Sequence, residues 1–240
     1  MNKLTSLSIF FPFLNDGGTV RTQIENAYKI GRLVTDDLEV IAINGGQSKD
    51  DTYEQILHMK TLYPDLMVIN KHDNKEGYAV IKHGLKNASK DWVFYTDGDA
   101  QYHLEKDLVK LVDKQASTKA DVVNGYKRHR GDTQLRTSMG NIYKTLSSNI
   151  FRLPIRDTDC DFRLIRKTFL DKISLESTDA SILPELIKKL EIAGAKFSEI
   201  EVAHYQRIYG KSNYNVLSLL KEKLIGDIKL YLKMRKFKLL

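Results

Sequence analysis

The sequence predicts an α/β fold with a mostly parallel sheet and helices on both of its faces. Three observations support that class. Short runs of aliphatic and aromatic residues alternate with stretches of helical periodicity. Polar and glycine-containing segments follow the carboxyl ends of those runs, the edge at which open α/β sheets bind ligands. The 240 residues hold no low-complexity stretch to act as a linker, so they read as one domain, residues 1–215, with a helical tail, residues 216–240.

In chain order, Leu7 to Phe11 reads as a strand and Val20 to Val34 as a helix. The alternation continues with a strand from Leu38 to Ile43, a helix from Thr52 to Leu62, a strand from Leu66 to Ile69 and a helix from Tyr78 to Ala88. Trp92 to Tyr95 is a strand, Leu104 to Gln115 a helix and Asp121 to Asn124 a strand. After Gly125 the pattern changes: a helix from Leu135 to Phe151, a turn near Pro154, an irregular polar stretch, and a strand from Phe162 to Ile165. A helix from Ser181 to Ala193 stops at Gly194, and Phe197 to His204 alternates like a strand. The last helix starts near Val216, with Leu217, Leu220, Leu224, Ile228 and Tyr231 at helical spacing and lysines on its flanks. Two readings of it stand side by side, a helix docked on its own domain and a contact with a membrane surface.

The net charge is +7, and the tail carries most of it: from Lys221 to Leu240 seven basic residues face only Glu222 and Asp227. Basicity so confined argues for a local patch that meets something anionic and against a nucleic-acid groove across the domain. There is no phosphate-binding Walker loop and no nucleic-acid motif. No apolar run approaches the ~18 to 20 residues of a membrane span, and the N-terminus is not a signal peptide, so the expected location is the cytoplasm. Cys160 is the single cysteine, which excludes an internal disulfide and a cysteine-rich zinc site; it reads as a small buried hydrophobe.

The chemistry concentrates at Asp97-Gly98-Asp99, where an apolar strand ends in two carboxylates one residue apart. Gly98 lets the chain turn so that both acids face one ion. Mg²⁺ or Mn²⁺ takes oxygen ligands, commonly one or two carboxylates completed by substrate phosphates. The pair by itself is also a common solvated turn.

Six segments in order resemble the family-2 glycosyltransferases of GT-A fold, and within them the dolichol-phosphate mannose synthase-like, polyprenyl-phosphate glycosyltransferase branch. They are Pro12-Phe13-Leu14-Asn15-Asp16, Asn44-Gly45-Gly46, Asn74 to Ala79, Asp97 to Gln101, Asp157 to Leu164, and Arg207 to Ser212. The resemblance implies donor contacts from Pro12, Asn15, Asp16, Asn44, Asp97, Lys127 and Arg136, and a Mg²⁺ or Mn²⁺ ion held by Asp97, Asp99 and Gln101. It implies acceptor or phosphate contacts from Arg163, Lys211 and Ser212, and catalytic roles for Asp99 and Arg207. Asn44-Gly45 stands where the family usually has two aspartates, which leaves the base open. Lys127 stands where arginine is more usual, keeping the charge without the bidentate fork.

If the acceptor is a sugar hydroxyl, a general base is needed, and Glu185 or Asp159 are candidates; a lipid phosphate is already an anionic nucleophile. Glu185 also reads simply as an acid in the first turn of a helix. His103 reads as a residue at a helix start or a neighbour of the metal, and Tyr205 and Tyr209 as borders of an acceptor channel. The expected activity is metal-dependent, inverting transfer of a hexose from a GDP- or UDP-sugar to a polyprenyl phosphate, at a membrane surface or beside a membrane-embedded subunit. A soluble transferase acting on a glycan and a non-catalytic sugar-nucleotide binding module are the alternatives.

Overall fold

Seven strands build one sheet in the order β3-β2-β1-β4-β6-β5-β7. The strands are β1 (Leu7–Phe13), β2 (Leu38–Asn44), β3 (Met67–Asn70), β4 (Trp92–Thr96), β5 (Val122–Lys127), β6 (Phe162–Arg166) and β7 (Phe197–Val202). The structure is a computed structural model and describes residues 2–73, 77–128, 134–210 and 216–236. The helices are α1 (Gly17–Val34), α2 (Thr52–Leu62), α3 (Val80–Asn87), α4 (Leu104–Thr118), α5 (Gln134–Phe151), α6 (Lys167–Leu170), α7 (Ile182–Ile192) and α8 (Val216–Lys236). The predicted α/β class holds, with element limits within a few residues of those read from sequence except for α6, which was too short to show a period.

Strand alternation divides the core in two. Ile9, Phe11 and Phe13 of β1 with Trp92 and Phe94 of β4 face α1, α2 and α4. Phe10 of β1 with Val93 and Tyr95 of β4 face α3 and α7. Both sets are apolar because both faces are covered by helices, which makes these strands read as continuous hydrophobic runs. On α1, Val20, Ile24, Ala27 and Val34 recur on one buried face.

The sheet departs from strict parallel order at one strand. β6 is antiparallel to both β4 and β5, so Tyr95, Arg163 and Asn124 stand side by side in a cross-strand row. The other strands run in one direction, and their carboxyl ends carry Asn44, Asp97 and Lys127 to a common edge. β1 continues through Pro12 to Phe13, two residues beyond the run Leu7 to Phe11 read from the sequence. β4 pairs with β1 only as far as Phe10, so on that side the ladder has already ended where proline lacks its N–H.

Candidate active site

Helix α1 stitches the Asp97-Gly98-Asp99 turn in place. The Thr19 hydroxyl donates to the Gly98 carbonyl (2.7 Å), and the Gln23 amide donates to the Asp97 carbonyl (3.1 Å). The need for glycine at position 98 is steric. A Cβ there would lie 2.3 Å from Cδ1 of Phe13 and 2.8 Å from the Pro12 carbonyl oxygen, which something must yield. The left-handed residue of the turn is Ala100, with φ 59°. Gly98 therefore admits the end of β1 close to the acids, a different reason from the turning role expected of it.

Arg207, on the loop after β7, bridges two carboxylates of this edge. It donates to Asp99 at 2.5 Å and to Asp16, just ahead of α1, at 3.2 Å. The other Asp99 oxygen accepts the Gln101 backbone N–H at 3.0 Å. Asp16 also accepts from the Leu14 N–H at 2.9 Å. Burial, with the nearby Asp99 charge, raises Asp16 to about 6 against the opposing pull of the Leu14 N–H and Arg207. Burial, then the carboxylates of Asp161 and Asp99, push Asp97 well above the ordinary range. Four acids, Asp16, Asp97, Asp99 and Asp161, thus converge, opposed among the described residues by Arg207, Lys127, Arg163 and Lys223.

The Arg207 loop is tied down at both ends. The Tyr205 N–H donates to the Gln101 carbonyl at 2.8 Å, and the Gln101 side-chain amide donates back to the Tyr205 carbonyl at 3.0 Å. His103 stacks on Tyr205 with ring centres 4.2 Å apart, which places it against the loop. Tyr209 lies over Gly18, where a Cβ would come within 2.3 Å of its ring. The loop consequently crosses the N-terminus of α1, where Asp50 accepts the Gly17 N–H at 3.0 Å.

Several residues predicted for the site serve the interior. Arg163 is fully enclosed, and it donates to Asn124 Oδ1 (2.5 Å), the Tyr95 hydroxyl (2.6 Å) and the Thr158 carbonyl (3.1 Å). The acceptor role expected of it is corrected: the strand pleat turns it into the sheet. Glu185 is 1% exposed and accepts from the backbone N–H groups of Glu176 and Ser177 while pairing with Lys189 at 2.6 Å. That carboxylate anchors the 174–177 segment and is not placed as a general base. Lys127 points inward, donating to the Tyr102 hydroxyl (2.9 Å) and the Asp159 carbonyl (2.5 Å), so it acts on the acid cluster from below. Asn44 is buried, its amide donating to Asn70 Oδ1 at 2.8 Å, and it joins β2 to β3. Asn15, with φ 59°, accepts the Lys49 N–H at 2.6 Å, and the Pro12 carbonyl rests against Gly98. Lys211, Ser212 and the side chain of Arg136 lie outside the described residues.

Two contributors escaped the sequence reading. Asp161, buried, stands near Asp97 and has one carboxylate oxygen without a hydrogen-bond partner. Its signal was present, since it lies in the Asp157–Asp161 stretch. Lys223 of α8 pairs with Asp159 at 2.7 Å, and both are nearly enclosed. Counted by charge alone, it had been part of the basic tail.

The family signature described as glycosyl transferase family 2 matches residues 8–174, from β1 past β6. The chain belongs to glycosyl transferase family 2. Among curated relatives, the undecaprenyl-phosphate 4-deoxy-4-formamido-L-arabinose transferase of Proteus mirabilis is 24% identical over 220 residues, 91% of this chain and 65% of the relative. The chain therefore spans about two thirds of the length of such relatives. Among solved structures, the glucosyl-3-phosphoglycerate synthase of Mycobacterium tuberculosis, in complex with Mn²⁺, UDP and phosphoglyceric acid, superposes with a TM-score of 0.66 at 13% identity. The match covers 95% of this chain and 78% of that one. A mannosyltransferase of Pyrobaculum calidifontis, in complex with GDP-mannose and Mn²⁺, gives a TM-score of 0.64 at 16% identity over 93% of this chain and 64% of its own. These likenesses establish the GT-A fold of this family-2 member.

Proposed function

We propose that this chain transfers a hexose from a nucleoside-diphosphate sugar to a polyprenyl phosphate with inversion at the anomeric carbon. The observation that carries the reading is the acid turn Asp97-Gly98-Asp99 at the carboxyl end of β4, within reach of Arg207, in a family-2 chain. The curated relatives named for undecaprenyl phosphate match over nine tenths of this chain and supply the acceptor class.

The donor set suits a hard divalent cation. Asp97, Asp99 and the side-chain oxygen of Gln101 would offer only oxygen donors, which Mg²⁺ or Mn²⁺ prefers. No group of three or more His, Cys, Asp or Glu side chains among the described residues forms a complete cage. A bound ion would neutralise charge developing on the departing nucleoside diphosphate.

The acceptor phosphate oxygen forms the new bond to the anomeric carbon as the bond to the donor diphosphate breaks, and the electron pair leaves with the nucleotide. No proton needs to be removed from a phosphate dianion, which agrees with Glu185 being spent on structure. Arg207 holds Asp16 and Asp99 together, and its guanidinium would meet the diphosphate of a bound donor.

Transfer is tested with radiolabelled UDP- and GDP-sugars, undecaprenyl or dolichyl phosphate and Mn²⁺. A labelled lipid that disappears with chelator is expected. Product on saccharides alone would replace the acceptor assignment, and nucleotide binding without turnover would replace the activity.

A further inference from the structure

Helix α8 has two unlike faces. Its inner face is keyed into the domain: Lys223 meets Asp159, Asp227 is buried, and Leu230 and Met234 pack on Phe151 of α5. Its outer face leaves Ile225, Ile228 and Leu232 exposed at 43, 55 and 60%. Spaced three and four residues apart, they form one stripe pointing away from the core contacts. Lys221, Lys229, Arg235 and Lys236 are exposed beside it.

The stripe borders a groove of about 610 Å³ between α8, the end of α5 and α7. Phe151, Tyr231 and Leu232 line its apolar part, and Arg152, Lys188 and Arg235 its polar part. No acid lines it. Lys188 is partly neutralised by Glu191 at 2.9 Å, whereas neither Arg152 nor Arg235 has an ion pair among the described residues. An apolar stripe beside unpaired guanidinium groups matches the boundary between acyl chains and anionic headgroups.

We propose that the outer face of α8, with this groove, docks the protein on an anionic phospholipid surface. Ile225, Ile228 and Leu232 enter the acyl boundary, and Arg152 and Arg235 contact lipid phosphates. Among the described residues no helix is long and apolar enough to cross a membrane, so contact through this face is interfacial. Through Lys223 the same helix reaches Asp159, whose carboxylate neighbours Asp161 of the acid cluster. The inference rests on the proposed lipid-phosphate acceptor, because it supplies the surface on which such an acceptor is met.

The test is sedimentation of the full chain with phosphatidylcholine vesicles, with and without phosphatidylglycerol. Binding that requires phosphatidylglycerol and falls with salt is expected. R152E/R235E, by reversing two charges that meet lipid phosphates, and separately I228E/L232E, by removing the apolar contact, should each weaken it at least about tenfold. Both variants should keep wild-type transfer to a short, water-soluble prenyl phosphate and a wild-type melting temperature. Because all four side chains lie on the surface or the groove rim, R235E alone serves as the milder variant if a double one fails to fold. Equal binding to neutral vesicles, unchanged binding in the variants, or a dimer dissolved by I228E/L232E without loss of vesicle binding would each overturn the proposal. Loss of transfer to the soluble acceptor in the wild type would instead count against the acceptor reading and leave the docking result to be judged on vesicles alone.

Discussion

Two clusters of acids and one cation serve different ends in this molecule. At the sheet edge Arg207 bridges Asp16 and Asp99 from a loop, and its side chain keeps about a quarter (23%) of its exposure. Between α5 and α8, Lys223 reaches Asp159 from within a helix, and each side chain is only 9% exposed. The first cluster can exchange its cation for a ligand at the cost of moving a loop side chain. The second cannot do so without opening helix packing, because an unpaired charge would be left inside.

Asp227 belongs to the enclosed cluster. It faces the hydroxyls of Tyr143 and Ser147, yet no hydrogen bond of normal geometry closes there. Burial chiefly raises it to about 7, with the Asp159 charge adding and Ser147, Tyr143 and Lys223 opposing. At the sheet edge, by contrast, the crowded acids are met by a cation carried on a loop, and the Arg207 side chain keeps 23% of its exposure. The two clusters use the same residue types and differ in burial.

The largest expected effect tests the enclosed cluster. Lys223→Ala strands Asp159 in the interior and should cost about 3–5 kcal/mol. In a chain of this size that is a fall in melting temperature of roughly 10 °C, read by calorimetry. A fall under a degree or two would place Lys223 in solvent and remove the contrast.

At the sheet edge Asp99→Ala should lower transfer on the order of 10² to 10³-fold, about 3–4 kcal/mol, while the melting temperature stays near that of the parent. Asp97→Ala should behave alike, and both should lose the Mn²⁺-dependent thermal shift given by sugar nucleotides. A large loss of stability without loss of turnover would make this cluster an anchor after all. Gly98→Ala pushes against Phe13 and Pro12 and should cost about 1–3 kcal/mol, with a drop in turnover as the flanking acids move.

The last effect is a pH dependence within the enclosed cluster. Asp227 holds its proton to about pH 7 in the folded protein and releases it near 4 when unfolded. The folded state therefore binds more protons across that window, and stability falls as pH rises through it. Asp227→Asn should remove the fall, raising stability by up to about 4 kcal/mol at pH 8, since each unit of the shift is worth about 1.4 kcal/mol, and by nothing near pH 4. Melting curves at both pH values decide it; an equal gain at both would assign the effect to packing.

Much of the architecture is legible from local pattern. The βα alternation, the common edge with Asp16, Asn44, Asp97 and Asp99, and the terminal helix all follow from periodicities and breakers within a few residues. Arg163 shows where that reading ends. Its sequence neighbours suggest a basic residue beside a motif, but its partners Tyr95 and Asn124 come from strands 68 and 39 residues away. The inward course of Lys127 and the enclosure of Glu185 have the same origin, since the direction of a long side chain depends on what packs around it.

The sequence alone determined the α/β class, the order of its elements, the acid turn after β4 and the concentration of positive charge in the last helix, because each is written in local composition and spacing. Only the tertiary structure decided that β6 runs antiparallel between β4 and β5, and that Arg207 spans Asp16 and Asp99. It also separated the lysines of α8 into one buried key, Lys223, and an outward set beside Ile228 and Leu232. Strand direction, ion pairing and burial are set by partners distant in the chain, whose meeting no local period encodes.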